Sequence, residues 1–282
     1  MRRVAIIGAG EIGGALAQRL ASRERARQIR LIDPSGAIAA GKALDIRQSG
    51  AIDGFDTRLS AADSVEAAVG AAVVVLADGA GRADRALDDG GGFLTLGRIA
   101  GLDREAVIVC AGAGHGSLVE RGVGELRVPR ARLIGSAPLA LAAAVRAMAA
   151  LALDGSPHDV SLSVLGIPPD AVVPWSDATV AGQAIESLLA PHELAALDAR
   201  VRALWPPGPS ALASAAARVV DAILSGSRRR FPCLVCLDGE WGVRGRAASV
   251  AVQLGPGGVV RIIEPTMTVQ ERVRLENALH TR

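Results

Sequence analysis

The stretch Val4-Ala5-Ile6-Ile7-Gly8-Ala9-Gly10-Glu11-Ile12-Gly13-Gly14 constrains this chain more than any other. A short β-branched apolar run reads as a buried strand. Gly8, Gly10 and Gly13 follow in G-x-G-x-x-G spacing, and Ala15, Leu16 and Leu20 then switch to a helical period. Each glycine has a physical task. The first allows a tight turn, the second lets backbone approach a pyrophosphate, and the third lets the helix pack close to the strand. Glu11, Ile12 and Gly13 open the helix, whose free N–H groups and positive dipole end attract phosphates. A second strand, Ile29-Arg30-Leu31-Ile32, ends at Asp33, twenty residues beyond Gly13. A carboxylate there accepts hydrogen bonds from ribose hydroxyls and repels a 2′-phosphate, which favours NAD over NADP. The expected cofactor-binding set is therefore Gly8, Gly10, Glu11, Ile12, Gly13 and Asp33.

Downstream, the strand and helix signals keep alternating. Residues 36–49 read as a helix, 54–59 as a third strand and 65–69 as a short helix. Residues 72–77 and 106–111 are continuous apolar runs, the mark of parallel strands covered on both faces. Between them, residues 78–92 are rich in Gly, Asp and Arg, and such a loop lies at the strand's C-terminal end, where ligands bind in open parallel sheets. Residues 93–101 read as helical and 132–135 as the sixth strand. The expected fold is α/β: a Rossmann doubly wound parallel sheet over residues 1–137. From Pro138 the pattern changes. An Ala-rich helix (139–153) precedes short strands (159–165, 171–173), helices (191–204, 210–224), strands (231–238, 247–254, 259–265) and a closing helix (269–279). Gly255-Pro256-Gly257-Gly258 reads as a hairpin connection. This pattern predicts a C-terminal α+β domain over residues 138–282.

Composition excludes several function classes. The formal net charge is +2 over 282 residues, so no nucleic-acid partner is implied, and Arg228-Arg229-Arg230 reads as a solvated corner. Cys233 and Cys236 have C-x-x-C spacing, but positions three apart on a strand face opposite sides, so neither a metal nor a redox pair is expected. Buried reduced thiols fit a cytoplasmic protein. The first strand starts at once and no N-terminal apolar run carries a cleavage site, so no cleaved leader is expected. The longest apolar stretch, residues 139–153, contains Arg146 and reads as a buried helix and not a membrane span.

The chain resembles the NAD-dependent lactate/malate dehydrogenase family along nearly its whole length. The segments that carry the likeness are residues 8–14, Leu31-Ile32-Asp33, Gly41-Lys42-Ala43-Leu44-Asp45, Gly54-Phe55-Asp56, Arg132-Leu133-Ile134-Gly135 and residues 238–245. The resemblance implies NAD as cofactor, a small-molecule acid as substrate and assembly into dimers or tetramers. The chain is somewhat shorter than the family's usual length, around residues 182–206. It also implies hydride transfer at a 2-hydroxy or 2-oxo acid. That chemistry needs a His to move the hydroxyl proton, a carboxylate to hold the His, and an Arg to clamp the substrate carboxylate.

The matching positions depart from this pattern. The Gly-Gly-His-Gly-Asp segment reads Gly166-Ile167-Pro168-Pro169-Asp170, with Pro168 at the His position. The Asp and Arg positions on the helix after Gly135 read Leu141 and Ala144, and the Asn turn reads Ala111-Gly112-Ala113. In the loop after the fourth strand, Arg82 matches the first family arginine; the second falls near Asp88, with Arg85 nearby. Two residues remain as candidates for chemistry: His115, a relocated acid/base or a solvated or capping His, and Arg82, an anion contact or a solvated loop residue. Asp170 matches the family's Asp or simply starts a strand. Trp175 and Trp241 read as packing residues. Two functional expectations follow: an NAD-binding protein without 2-hydroxy acid dehydrogenase chemistry, or an NAD-dependent oxidoreductase with a rebuilt pocket for another alcohol or carbonyl.

Overall fold

The structure, a computed structural model, describes residues 3–79 and 89–280; Arg82 and Arg85 lie outside them. The first half runs β1 (Arg3–Ile7), α1 (Glu11–Ser22), β2 (Gln28–Ile32), α2 (Gly36–Asp53), β3 (Arg58–Ala62), a 3-10 turn at Val65–Ala68, β4 (Val73–Leu76), α3 (Asp89–Leu102), β5 (Val107–Cys110), α4 (Gly116–Gly124) and β6 (Leu133–Gly135). The strands lie in the order β3-β2-β1-β4-β5-β6, all parallel, which is the doubly wound arrangement expected.

Strand alternation explains how so aromatic-poor a chain builds its core. Val4, Ile6, Val73 and Val75 pack on one face of the sheet, and Ala5, Ile7, Val74 and Leu76 on the other. Both faces are covered at the centre of the sheet, so β4 and β5 are apolar at every position, whereas β2 and β3 nearer the edge carry Arg30 and Arg58. The predicted third strand starts too early. Residues 54–56 are a helix stop: Gly54 sits at φ +76°, and the N–H groups of Gly54 and Phe55 both donate to the Gly50 carbonyl. Phe55 folds under the helix end, as the residue after a left-handed cap commonly does.

The second half contains α5 (Ala137–Ala152), β7 (Val160–Ser161), β8 (Leu165–Ile167), β9 (Asp170–Val172), β10 (Thr179–Val180), β11 (Gln183–Ala184), α6 (Pro191–Arg200), α7 (Pro209–Ser225), β12 (Arg230–Asp238), β13 (Arg244–Gly255), β14 (Gly258–Ile263) and α8 (Val269–His280). The strand expected at 159–165 breaks into β7 and β8; β7 leaves for a small sheet with β10 and β11. The helix expected to reach residue 204 ends at Arg200 and tightens into a 3-10 turn, Val201–Leu204. The hydrogen-bonded sheet continues across residue 137. β12 pairs antiparallel with β6 through Leu234 and Gly135, then β13, β8 and β9 follow, with β14 on β13. Gly135 permits this join, because a Cβ there would lie 2.8 Å from the Leu234 Cβ.

Cys233 and Cys236 pack in cores on opposite faces of the sheet, as their spacing implied. Cys110, Cys233 and Cys236 are free and buried. No group of three or more His, Cys, Asp or Glu side chains suited to a metal ion occurs among the described residues, and no helix among them is long and apolar enough to cross a membrane.

Candidate functional site: the glycine loop

The glycine loop connects β1 to α1 at the C-terminal edge of the parallel strands. Gly8 has φ +101° and its N–H donates to the Ile32 carbonyl at 2.7 Å. A Cβ on Gly8 would lie 2.2 Å from the Asp78 carbonyl oxygen, and one on Gly13 would lie 1.9 Å from the Gly8 carbonyl oxygen. Backbone packing therefore requires glycine at both positions.

Asp33 ends β2 beside this loop and is buried. Its Oδ2 accepts the Ala9 N–H and its Oδ1 accepts the Ser35 N–H, each at 2.8 Å. The residue that the spacing assigns to ribose thus also organises the loop. Lys42 reaches across from α2 and donates to the Gly10 carbonyl at 2.8 Å.

Asp78, two residues past β4, is the feature that sequence reading missed. Its carboxylate accepts the Ile12 N–H (3.0 Å, Oδ2) and the Gly13 N–H (2.9 Å, Oδ1). Gly10 has no side chain with which to cap α1, and Asp78 caps it from a distant strand. The Asp78 carbonyl also accepts the Gly10 N–H at 2.9 Å. A Cβ on Gly10 would lie 2.4 Å from Asp78 Oδ2, so the gap left by the second glycine holds a carboxylate of this chain. The only sequence signal was its place in the loop after β4, where ligand contacts gather.

Where the resemblance places proton transfer, apolar groups stand. Leu141 is fully buried on α5 in a cluster with Val145, Val164, Val173 and Trp175, and Ala144 is half-buried one turn away. Pro168 forms the turn between β8 and β9, and Asp170 on β9 is exposed and accepts from Arg202 at 2.5 Å. His115 stands at the start of α4 and is buried, not solvated. Its Nδ1 accepts the Gly112 N–H at 3.1 Å. A Cβ on Gly112 would lie 2.7 Å from the imidazole, so the ring packs directly against the loop. Trp175 packs in the same cluster as Leu141 and donates to Asp198, and Trp241 packs against the main core.

A doubly wound sheet with a G-x-G-x-x-G turn at its edge and an acid ending β2 defines a Rossmann-type dinucleotide-binding protein. Residues 2–85 match the family model described as lactate/malate dehydrogenase, NAD binding domain. The malate dehydrogenase of Thermomicrobium roseum is 31% identical, over 98% of this chain and 94% of that protein. Two solved structures superimpose over almost the whole chain. The malate dehydrogenase of Salinibacter ruber has a TM-score of 0.86 at 26% identity, covering 98% of this chain and 93% of its own. The lactate dehydrogenase of Cryptosporidium parvum, complexed with lactic acid and nicotinamide adenine dinucleotide, has a TM-score of 0.89 at 24% identity, covering 99% and 94%. The chain belongs to the lactate/malate dehydrogenase family. NAD is the cofactor of that domain type, and the turn, the helix start and the position of Asp33 suit it. The pyrophosphate position does not suit it while Asp78 holds the Ile12 and Gly13 N–H groups.

Proposed function

We propose that this protein is a dinucleotide-binding member of the lactate/malate dehydrogenase family without 2-hydroxy acid dehydrogenase activity. One observation carries the reading: the positions matching the proton-moving His, its carboxylate and the substrate-clamping Arg are Pro168, Leu141 and Ala144, with Leu141 packed in an apolar core. Proline has no titratable proton, and neither Leu nor Ala grips a carboxylate. Loss of acid–base assistance alone typically costs about 10²–10⁴-fold in rate. Losing the clamp removes the orientation of the substrate as well. The buried Cys110, Cys233 and Cys236 suit a reducing compartment, and the reading places the protein in the cytoplasm as a dimer or tetramer. The test is a steady-state assay of the full chain with NAD and malate, then with lactate. No turnover is expected with either acid; measurable turnover with one of them overturns the reading.

A further inference from the structure

We propose that Asp78 is a resident anion that takes the place of the cofactor's pyrophosphate on the glycine loop, so that a dinucleotide binds only by displacing it. The inference rests on the loop's being the dinucleotide site. A Rossmann loop binds pyrophosphate through the N–H groups of the first helical turn and the positive end of the helix dipole. Here two of those groups, Ile12 N–H and Gly13 N–H, already donate to one carboxylate, one to each oxygen. The space that the second glycine opens holds Asp78 Oδ2.

The contact is built into the fold. The Ala77 N–H donates to the Ile7 carbonyl at 2.8 Å, and the Gly10 N–H donates to the Asp78 carbonyl at 2.9 Å. These bonds continue the β1–β4 pairing to the loop and fix the Asp78 backbone beside α1. Only the side chain is left to move, and it is half-buried, so it has a route outward. A phosphate arriving at the same N–H groups meets a like charge in the same space. The carboxylate therefore caps α1 and opposes the ligand that would cap it instead.

A structural cap and an electrostatic competitor predict opposite outcomes on substitution. Losing a mere cap loosens the loop and weakens binding; losing a competitor strengthens it. NADH fluorescence titration of the full chain compares the unaltered protein with Asp78→Ala, Asp78→Asn and, as a charge-matched control, Asp154→Asn just past α5. Asp78→Asn keeps an oxygen for the helix N–H groups while removing the charge, and circular dichroism checks that each variant is folded. The expected result is at least tenfold tighter NADH binding by both Asp78 variants and an unchanged affinity for the control. Equal or weaker binding by the Asp78 variants, including no binding by any form, overturns the proposal. Turnover with malate or lactate overturns the non-catalytic reading instead and leaves the affinity comparison intact.

Discussion

Asp33 and Ala9 are joined by a hydrogen bond of 2.8 Å, from the Ala9 N–H to Asp33 Oδ2, which ties the end of β2 to the glycine loop of β1. The same carboxylate also accepts the Ser35 N–H ahead of α2. Asp33→Ala therefore removes loop organisation along with any ribose contact. The expected outcome is weaker NADH binding together with a loss of about 1–3 kcal/mol of stability, the usual cost of stranding buried donors. Asp33→Asn, which keeps an acceptor for Ala9, should recover most of the stability. Fluorescence titration and urea unfolding measure the two effects separately. Unchanged NADH affinity in Asp33→Ala would show that the adenosine ribose lies elsewhere.

Restoring the missing proton relay should fail at the level of the fold. Leu141 lies in an apolar cluster with Val145, Val164 and Val173. Leu141→Asp places an unpaired carboxylate there, and a destabilisation of roughly 3–5 kcal/mol is expected. Urea unfolding measures it. A loss under about 1 kcal/mol, small for any buried substitution, would reveal polar room beside α5 and argue against a stripped pocket. Pro168→His alone should give no malate or lactate turnover, because neither an orienting carboxylate nor a clamp accompanies it.

Glu271 gives the fold a pH dependence. Its carboxylate accepts the Ser176 N–H at 3.1 Å, the Ser176 hydroxyl, the Thr268 N–H at 2.8 Å and the Thr268 hydroxyl at 3.0 Å. Burial works against its charge, but the hydrogen bonds from Ser176 and Thr268 outweigh burial and hold the carboxyl below its ordinary range. A carboxylate with a lowered folded-state value contributes stability that is fully present above its unfolded value. That contribution is lost as pH falls through the lowered one. Glu271→Ala should cost about 2–3 kcal/mol near neutral pH, as expected for bonds to a charged acceptor. The gap from the unaltered protein should narrow as the acid range is entered. Thermal melts at pH 7 and in the acid range check this; a gap independent of pH would mean that the charge contributes nothing.

Cys110 and Cys233 should be inert in the native state. Burial pushes Cys110 up to about 12 and raises Cys233 further, and burial chiefly, with Glu120 beside it, raises Cys236. Thiolate is the reactive form. Iodoacetamide at neutral pH should leave Cys110 and Cys233 unmodified in the folded protein and label all three in urea, as read by intact mass. Rapid native labelling of Cys110 or Cys233 would show that the sheet opens locally.

Much of the architecture is legible in the sequence. Strand signals alternating with helical periods predict the parallel half, and the continuous apolar runs at 72–77 and 106–111 mark its centre, where strands covered on both faces are apolar throughout. The stop at Gly54-Phe55 carries the local pattern of a strand start, since a left-handed cap followed by an aromatic looks like a turn into β structure. Thr268-Val269-Gln270-Glu271 is a capping box at the start of α8, a local signal present in the chain and explained by the bonds it makes.

Sequence alone determined the dinucleotide-binding fold, the family, and the residue types at the positions matching the proton relay, because strand period, glycine spacing and side-chain chemistry are local properties of the chain. Tertiary structure decided what the glycine loop holds. Asp78 lies 65 residues from Gly13 and reaches it only because β4 pairs beside β1, so no spacing rule along the chain could place that carboxylate on the first turn of α1. It likewise decided that Leu141 faces a packed core and that His115 turns inward under Gly112, because burial is set by which elements meet and not by their order.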